Sequence, residues 1–269
     1  MPRYRVIIDR AMFRVCFILM GFLAAVSGQV RAATNDLSAA GVVEFTAAYR
    51  AWDGTRFAAA AELFRRGTTN APTNVTNFCW LGAAQFHRML QLQNSPGSST
   101  NQNAAAAALD AALAALLTAV KLDDRHAESH AFLGTLYGMK INGSLLRGIK
   151  FGPSAARHQE LALKHGASNP RVQYLLGMCQ FHTAKKPNDW KTALQSLQKA
   201  EKLFEAEAKT DAAPLDPRWG YDSCLTFIGR TYELVGQPKE AADYFRKVLS
   251  MHPADHLAKE GLKRVSENK

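Results

Sequence analysis

Ala60 and Gly82, Ala112 and Gly134, and Ala155 and Gly177 each stand 22 residues apart. Alanine and glycine let two helices approach closely, so a fixed spacing between them marks a packing unit that recurs. The stretch from Leu225 to Pro253 shows the unit complete. It reads L-x3-G-x2-Y-x3-G-x4-A-x3-F-x7-P, carried by Leu225, Gly229, Tyr232, Gly236, Ala241, Phe245 and Pro253. A two-helix unit of this kind cannot bury its own apolar face, so one copy requires neighbours.

Other positions keep the register. Phe64 and Pro72 follow Ala60 at the offsets that Phe245 and Pro253 show after Ala241, and Leu116, Ala119 and Asp124 do so after Ala112. Leu133-Gly134-x2-Tyr137 repeats the first-helix signature, Leu81-Gly82 and Leu176-Gly177 repeat part of it, and Ala193, Leu197 and Ala200 mark another second helix. Pro72, Pro170 and Pro253 suit helix boundaries, because proline lacks the N–H an interior position needs. Gly236-Gln237-Pro238 reads as a helix stop followed by a proline-led start.

On these residues the chain resembles the tetratricopeptide repeat (TPR) family over essentially all of its mature length, and more narrowly its exported bacterial members. The resemblance implies an all-α protein, a right-handed α-solenoid whose first helices line a concave groove for a peptide or protein. The register predicts five hairpins, at 38–72, 74–124, 127–168, 171–206 and 219–253. A capping helix at 254–266 follows, with Leu257, Leu262 and Val265 toward the stack. The first hairpin is the poorest match, lacking the glycine and tyrosine at the expected places of its first helix.

The spacing from packing glycine to packing alanine within a hairpin is 12 residues in the last unit but 30, 21 and 16 in the second, third and fourth. The extra residues are expected as loops on one edge of the solenoid. Leu92 to Asn103 is polar, whereas Asn142 to Pro153 carries Leu145, Leu146, Ile149 and Phe151 among glycines and is expected to fold back onto the helices. A further insertion, Ala206 to Trp219, suggests an ordered turn. Such loops serve equally well as a binding face or as tolerated surface additions.

The first 32 residues read differently. Arg3, Arg5, Arg10, Arg14 and Arg31 against Asp9 give a net +4, and Val15 to Val26 is an uncharged, mostly apolar run of 12. That run is shorter than the about 20 residues a spanning helix needs, and Val30-Arg31-Ala32 offers a cleavage site before Ala33. Residues 1–32 are therefore expected to be a secretory signal peptide and 33–269 the solenoid domain, placing the chain in a bacterial periplasm or outside the cell. A start at Met12 would give a tidier signal. The alternative is an uncleaved anchor, which would make the protein a membrane-tethered envelope assembly factor. With the leader removed, three cysteines remain, Cys79, Cys179 and Cys224, without a CxxC pair.

The formal charge of +10 is dispersed among acids in the mature chain, as on a solvated helix surface, so no nucleic-acid partner is expected. His126-Ala-Glu-Ser-His130 has two histidines four apart, but Glu128 stands one residue too late for a metalloprotease motif, and a helix start explains the pattern. There is no phosphate-binding glycine loop and no Gly-x-Ser-x-Gly elbow. The expectation is a non-catalytic scaffold with no cofactor, no metal and no membrane span after cleavage. Alignment on the packing glycines puts Phe86, His87, Met139, Tyr174, Met178, Phe181, His182 and Arg230 toward the groove as partner-binding residues. Their aromatic, thioether and imidazole character suits an apolar or helical peptide. Edman sequencing of the exported protein should begin at Ala33, and a start upstream of Val15 would identify the tethered form.

Overall fold

The computed structural model describes residues 36–95 and 101–267, and the leader lies outside them. Those residues form eleven helices in five antiparallel pairs and a cap. The pairs are α1 (36–51) with α2 (Gly54–Asn70), α3 (Val75–Asn94) with α4 (Gln102–Leu122), α5 (Ala127–Ile141) with α6 (Leu145–Gly166), α7 (Pro170–Thr183) with α8 (Pro187–Glu207), and α9 (Tyr221–Leu234) with α10 (Pro238–Met251). The cap is α11 (His256–Glu267).

The glycine register has a direct mechanical cause. A Cβ added at Gly82 would lie 2.4 Å from Leu116 Cγ, at Gly177 2.7 Å from Leu197 Cγ, and at Gly229 2.8 Å from Phe245 Cε1. Each opposing side chain sits four residues after the packing alanine of the second helix, one turn along the same face. The first hairpin obeys the same rule through Gly41, whose added Cβ would meet Phe64 Cε1 at 2.7 Å. The sequence reading misses this glycine because no earlier hairpin sets the count. Gly261 of the cap closes on the same Phe245 ring.

Local signals start and stop the helices. Asp53 accepts from the Thr55 and Arg56 amides to cap α2, Asn74 caps α3, and Asn169 caps α7 ahead of Pro170 at the first turn. Such caps are worth about 1 kcal/mol each. Helix α4 is long and apolar enough to cross a membrane, yet Ala105, Ala108, Ala112, Leu116 and Ala119 are buried along one stripe. That stripe is the mark of a core helix packed in its hairpin.

The insertions differ from the expected loops. They lengthen helices, so α3 runs to Asn94, α4 starts at Gln102, and residues 145–153 form the beginning of α6. The α5–α6 turn is only Asn142-Gly143-Ser144, with φ of 43° and 71° at the first two and the Ser144 hydroxyl oxygen accepting from the Arg147 amide. Pro153 sits inside α6. The carbonyl it leaves without an N–H partner belongs to Ile149, a residue that is 69% exposed.

The two kinds of glycine give a paired test. Gly177→Val places its Cβ 3.1 Å from the Leu197 backbone nitrogen as well, and overpacking of this kind costs about 1–3 kcal/mol. Gly138 has no atom within 4 Å of an added Cβ, so Gly138→Ala should gain up to about 1 kcal/mol from helix propensity. Urea unfolding of both variants checks the two signs.

Candidate functional site

The faces of the first helices do not enclose an empty groove. After α8 the chain leaves as an irregular segment, residues 208–220, and drives Trp219 into the middle of the stack. Trp219 is 5% exposed. Its ring lies 6.4 and 6.3 Å from Phe45 and Tyr49 of α1, 4.9 Å from His87 of α3, 5.4 Å from Phe132 of α5 and 6.3 Å from Tyr174 of α7. Four of the five first helices thus converge on one indole. The fifth joins through a 2.6 Å hydrogen bond between the Tyr49 and Ser223 hydroxyls, 174 residues apart.

The segment is built to hold this position. The Arg218 guanidinium donates to the carbonyls of Glu207, Thr210 and Asp211, the Ala213 amide donates to Asp216, and Trp80 Nε1 donates to the Leu215 carbonyl at 3.0 Å. Gly220 has φ of 105°, and a Cβ there would come 3.0 Å from Phe204. A residue other than glycine would strain this exit into α9.

The eight residues expected to line the groove fall into separate places. Phe86 and His87 are buried beside Phe132 and Trp219, and Tyr174 packs on Trp219 and Phe227 with its hydroxyl toward Met178 Sδ. Farther along, Phe181 meets His182 and Phe227, and the Arg230 guanidinium lies 4.9 Å over the Phe181 ring. Phe86, His87, Tyr174, Met178 and Phe181 are all at most 7% exposed. Met139 and Arg230 are half-buried and His182 is exposed, so these three retain surface. The Ala206–Trp219 insertion, expected as an ordered turn, carries its tryptophan into the space between the first helices.

What remains open is a cavity of about 310 Å³ between the insertion and the helices. Trp80, Phe132, Ala83 and Trp219 form its apolar wall, and Thr76, His126, Glu128, Asn169 and Asp216 bring polar groups to it. The polar side is rigid. Arg171, 3% exposed, donates through Nε to Glu128 at 2.8 Å and through both terminal nitrogens to Glu207, while Asn169 donates to the same Glu128 oxygen. Burial works against the guanidinium's charge, but Glu128 and Glu207 together hold its pKa above the ordinary value. Cys79 on the cavity wall is pushed up to about 12, by burial first and then by the Glu128 charge, so it is an unreactive thiol. Cys179 and Cys224 are likewise free thiols.

The two histidines of the sequence motif diverge. His126 caps α5, its Nδ1 facing the Ser129 amide. His130 is buried, with Nε2 donating to the Asp124 carbonyl, so its Nδ1 accepts from His158 Nδ1 at 2.8 Å. Burial first, and then the neighbouring His130 and Arg157, pushes His158 down to about 4. Burial does the same to His87, against the pull of its hydrogen bond to the Ala83 carbonyl.

No known family profile matches the chain, and no curated protein matches it. Solved structures do. A thermophilic TPR protein from Thermus thermophilus is 17% identical over 86% of this chain and 98% of its own, with a TM-score of 0.60. The HusA haemophore from Porphyromonas gingivalis is 15% identical over 74% of this chain and 92% of its own, with a TM-score of 0.57.

His87 makes the interior acid-sensitive. Its folded pKa of about 4 lies below the unfolded 6.5, so stability is complete above pH 6.5 and falls as the pH drops toward 4. The slope is up to about 1.4 kcal/mol per pH unit for one proton. His158 is depressed to the same value, so His87→Phe should make this limb shallower by about one proton's share, leaving the share of His158, in denaturant titrations run across that range. With five helical pairs and a cap in glycine-to-bulky register and solved neighbours of the same architecture, the chain has the fold of the tetratricopeptide repeat proteins, an α-solenoid.

Proposed function

We propose that this protein is an exported, non-catalytic interaction scaffold that holds a peptide segment of a protein partner against its inner face. The observation that carries the reading is the cavity beside Trp219. Its aromatic wall and fixed polar rim suit one large side chain of a bound segment, and its volume lies at the small end of the about 300–1,000 Å³ usual for ligand sites. The half-buried Met139 and Arg230 and the exposed His182 supply further contact. Export rests on the arginine-rich, apolar leader, and its removal at Ala33 would leave a periplasmic or secreted chain.

A structural neighbour that is a haemophore raises a second reading, a small aromatic ligand in the same cavity. Two tryptophans and a phenylalanine on its wall favour a flat ring system. Absorbance titration with haem separates the two, since only the second reading expects a saturable spectral change.

The peptide reading is tested by selection from a displayed peptide library, followed by affinity measurement on variants. Thr76→Trp, at the half-buried mouth of the cavity, should reduce binding of selected peptides by about tenfold or more, the equivalent of at least about 1.4 kcal/mol. Its unfolding midpoint should stay near that of the parent. Undiminished binding by this variant and by Arg230→Ala would remove the inner face as the site.

A further inference from the structure

We propose that the first two turns of α6 form a peripheral contact site for an anionic lipid surface. Leu145, Leu146 and Ile149 are 81%, 79% and 69% exposed, three large aliphatic side chains on two successive turns. Gly152 has no atom within 4 Å of an added Cβ, and Gly148 touches only the Ile141 side chain at 3.8 Å, so no other described element covers this face. Scattered exposed apolar residues are ordinary, but a cluster at a helix tip marks a surface that meets something apolar.

Charge identifies the occupant. From Ser129 to Gln159 the chain contains no Asp or Glu, while Lys140, Arg147, Lys150 and Arg157 are all basic. Lys140 is paired with Asp110 of α4 at 2.9 Å, and Lys140 and Lys150 lie 5.6 and 5.3 Å over the Phe151 ring. Arg147 and Lys150 flank the aliphatic cluster in the chain, with stems long enough to keep their charges at headgroup level while the leucines enter the acyl boundary. A second copy of this chain would bring the same positive charges together. Three side chains also cover far less than the about 800 Å² per partner that a specific protein interface buries. A bilayer interface sets no such minimum and accepts side chains that project.

The test uses the full chain with vesicles of equimolar phosphatidylglycerol and phosphatidylcholine, read by hydrogen exchange. The amides of Leu145 and Leu146 in the first turn lack intrahelical partners, and the bonded amides that follow them open by fraying of the helix end, so contact should slow residues 145–152 by roughly tenfold. A local readout separates this site from any binding by the leader. Leu145→Ser/Leu146→Ser/Ile149→Ser should lose that protection while keeping the parent unfolding midpoint, and Arg147→Gln/Lys150→Gln should weaken vesicle affinity by about tenfold or more. Unchanged exchange at 145–152 with anionic vesicles would overturn the proposal. So would equal protection by phosphatidylcholine alone. If the triple variant sediments as a smaller species than the parent without lipid, the face belongs to a second copy and the lipid assignment fails.

Discussion

The structure turns on the burial of one indole. Trp219 fills the space that five hairpins would otherwise leave between their first helices, and it touches four of them directly. An aromatic side chain of this size buries some 150–250 Å², and edge-on contacts with its neighbours add about 0.5–1.5 kcal/mol each. The surrounding rings are therefore placed by a residue that belongs to none of the hairpins. The hydrogen bonds of Arg218 and Trp80 serve to keep that residue in place.

The polar network next to it complements this packing. Arg171 is held by two carboxylates from different hairpins, Glu128 of α5 and Glu207 of α8, and the Asn169 side chain donates to Glu128 at the same place. A buried ion set adds little net stability over an apolar replacement, but losing one partner leaves a charge stranded, at about 3–5 kcal/mol. Its role is then one of alignment. It fixes how the third hairpin meets the fourth and stiffens the polar rim of the cavity.

The hairpins were readable from sequence because their main constraint is local in register. A glycine needs its bulky partner one helix away, and the alanine four residues earlier reports where that partner stands, as Gly82 with Leu116 and Gly177 with Leu197 show. Gly41 escaped because it lies 19 residues before Ala60 with nothing upstream to count from. Residues 142–153 read as a loop because Gly143, Gly148, Gly152 and Pro153 lower helix propensity, yet Phe151 stacked on Tyr137 helps keep the segment on α5. The inner face was the least readable. His87 and Tyr174 face Trp219 and Phe86 lies beside Phe132, but the tryptophan that covers them sits in an irregular insertion whose contacts are set by three-dimensional closure.

That closure changes how the molecule should come apart. An open stack of repeats, in which each unit touches only the next, can fray from its ends one unit at a time. Here the hydroxyls of Tyr49 and Ser223 and the Trp219 cluster join the first unit to the last. Releasing the first hairpin exposes the centre, so the units lose their independence and unfold as one. The Tyr49–Ser223 link spans 174 residues of chain, and contacts of such long range form slowly because the intervening chain must first be ordered. Hairpins should assemble early, and the docking of the indole should be the late step that makes the array a single cooperative body.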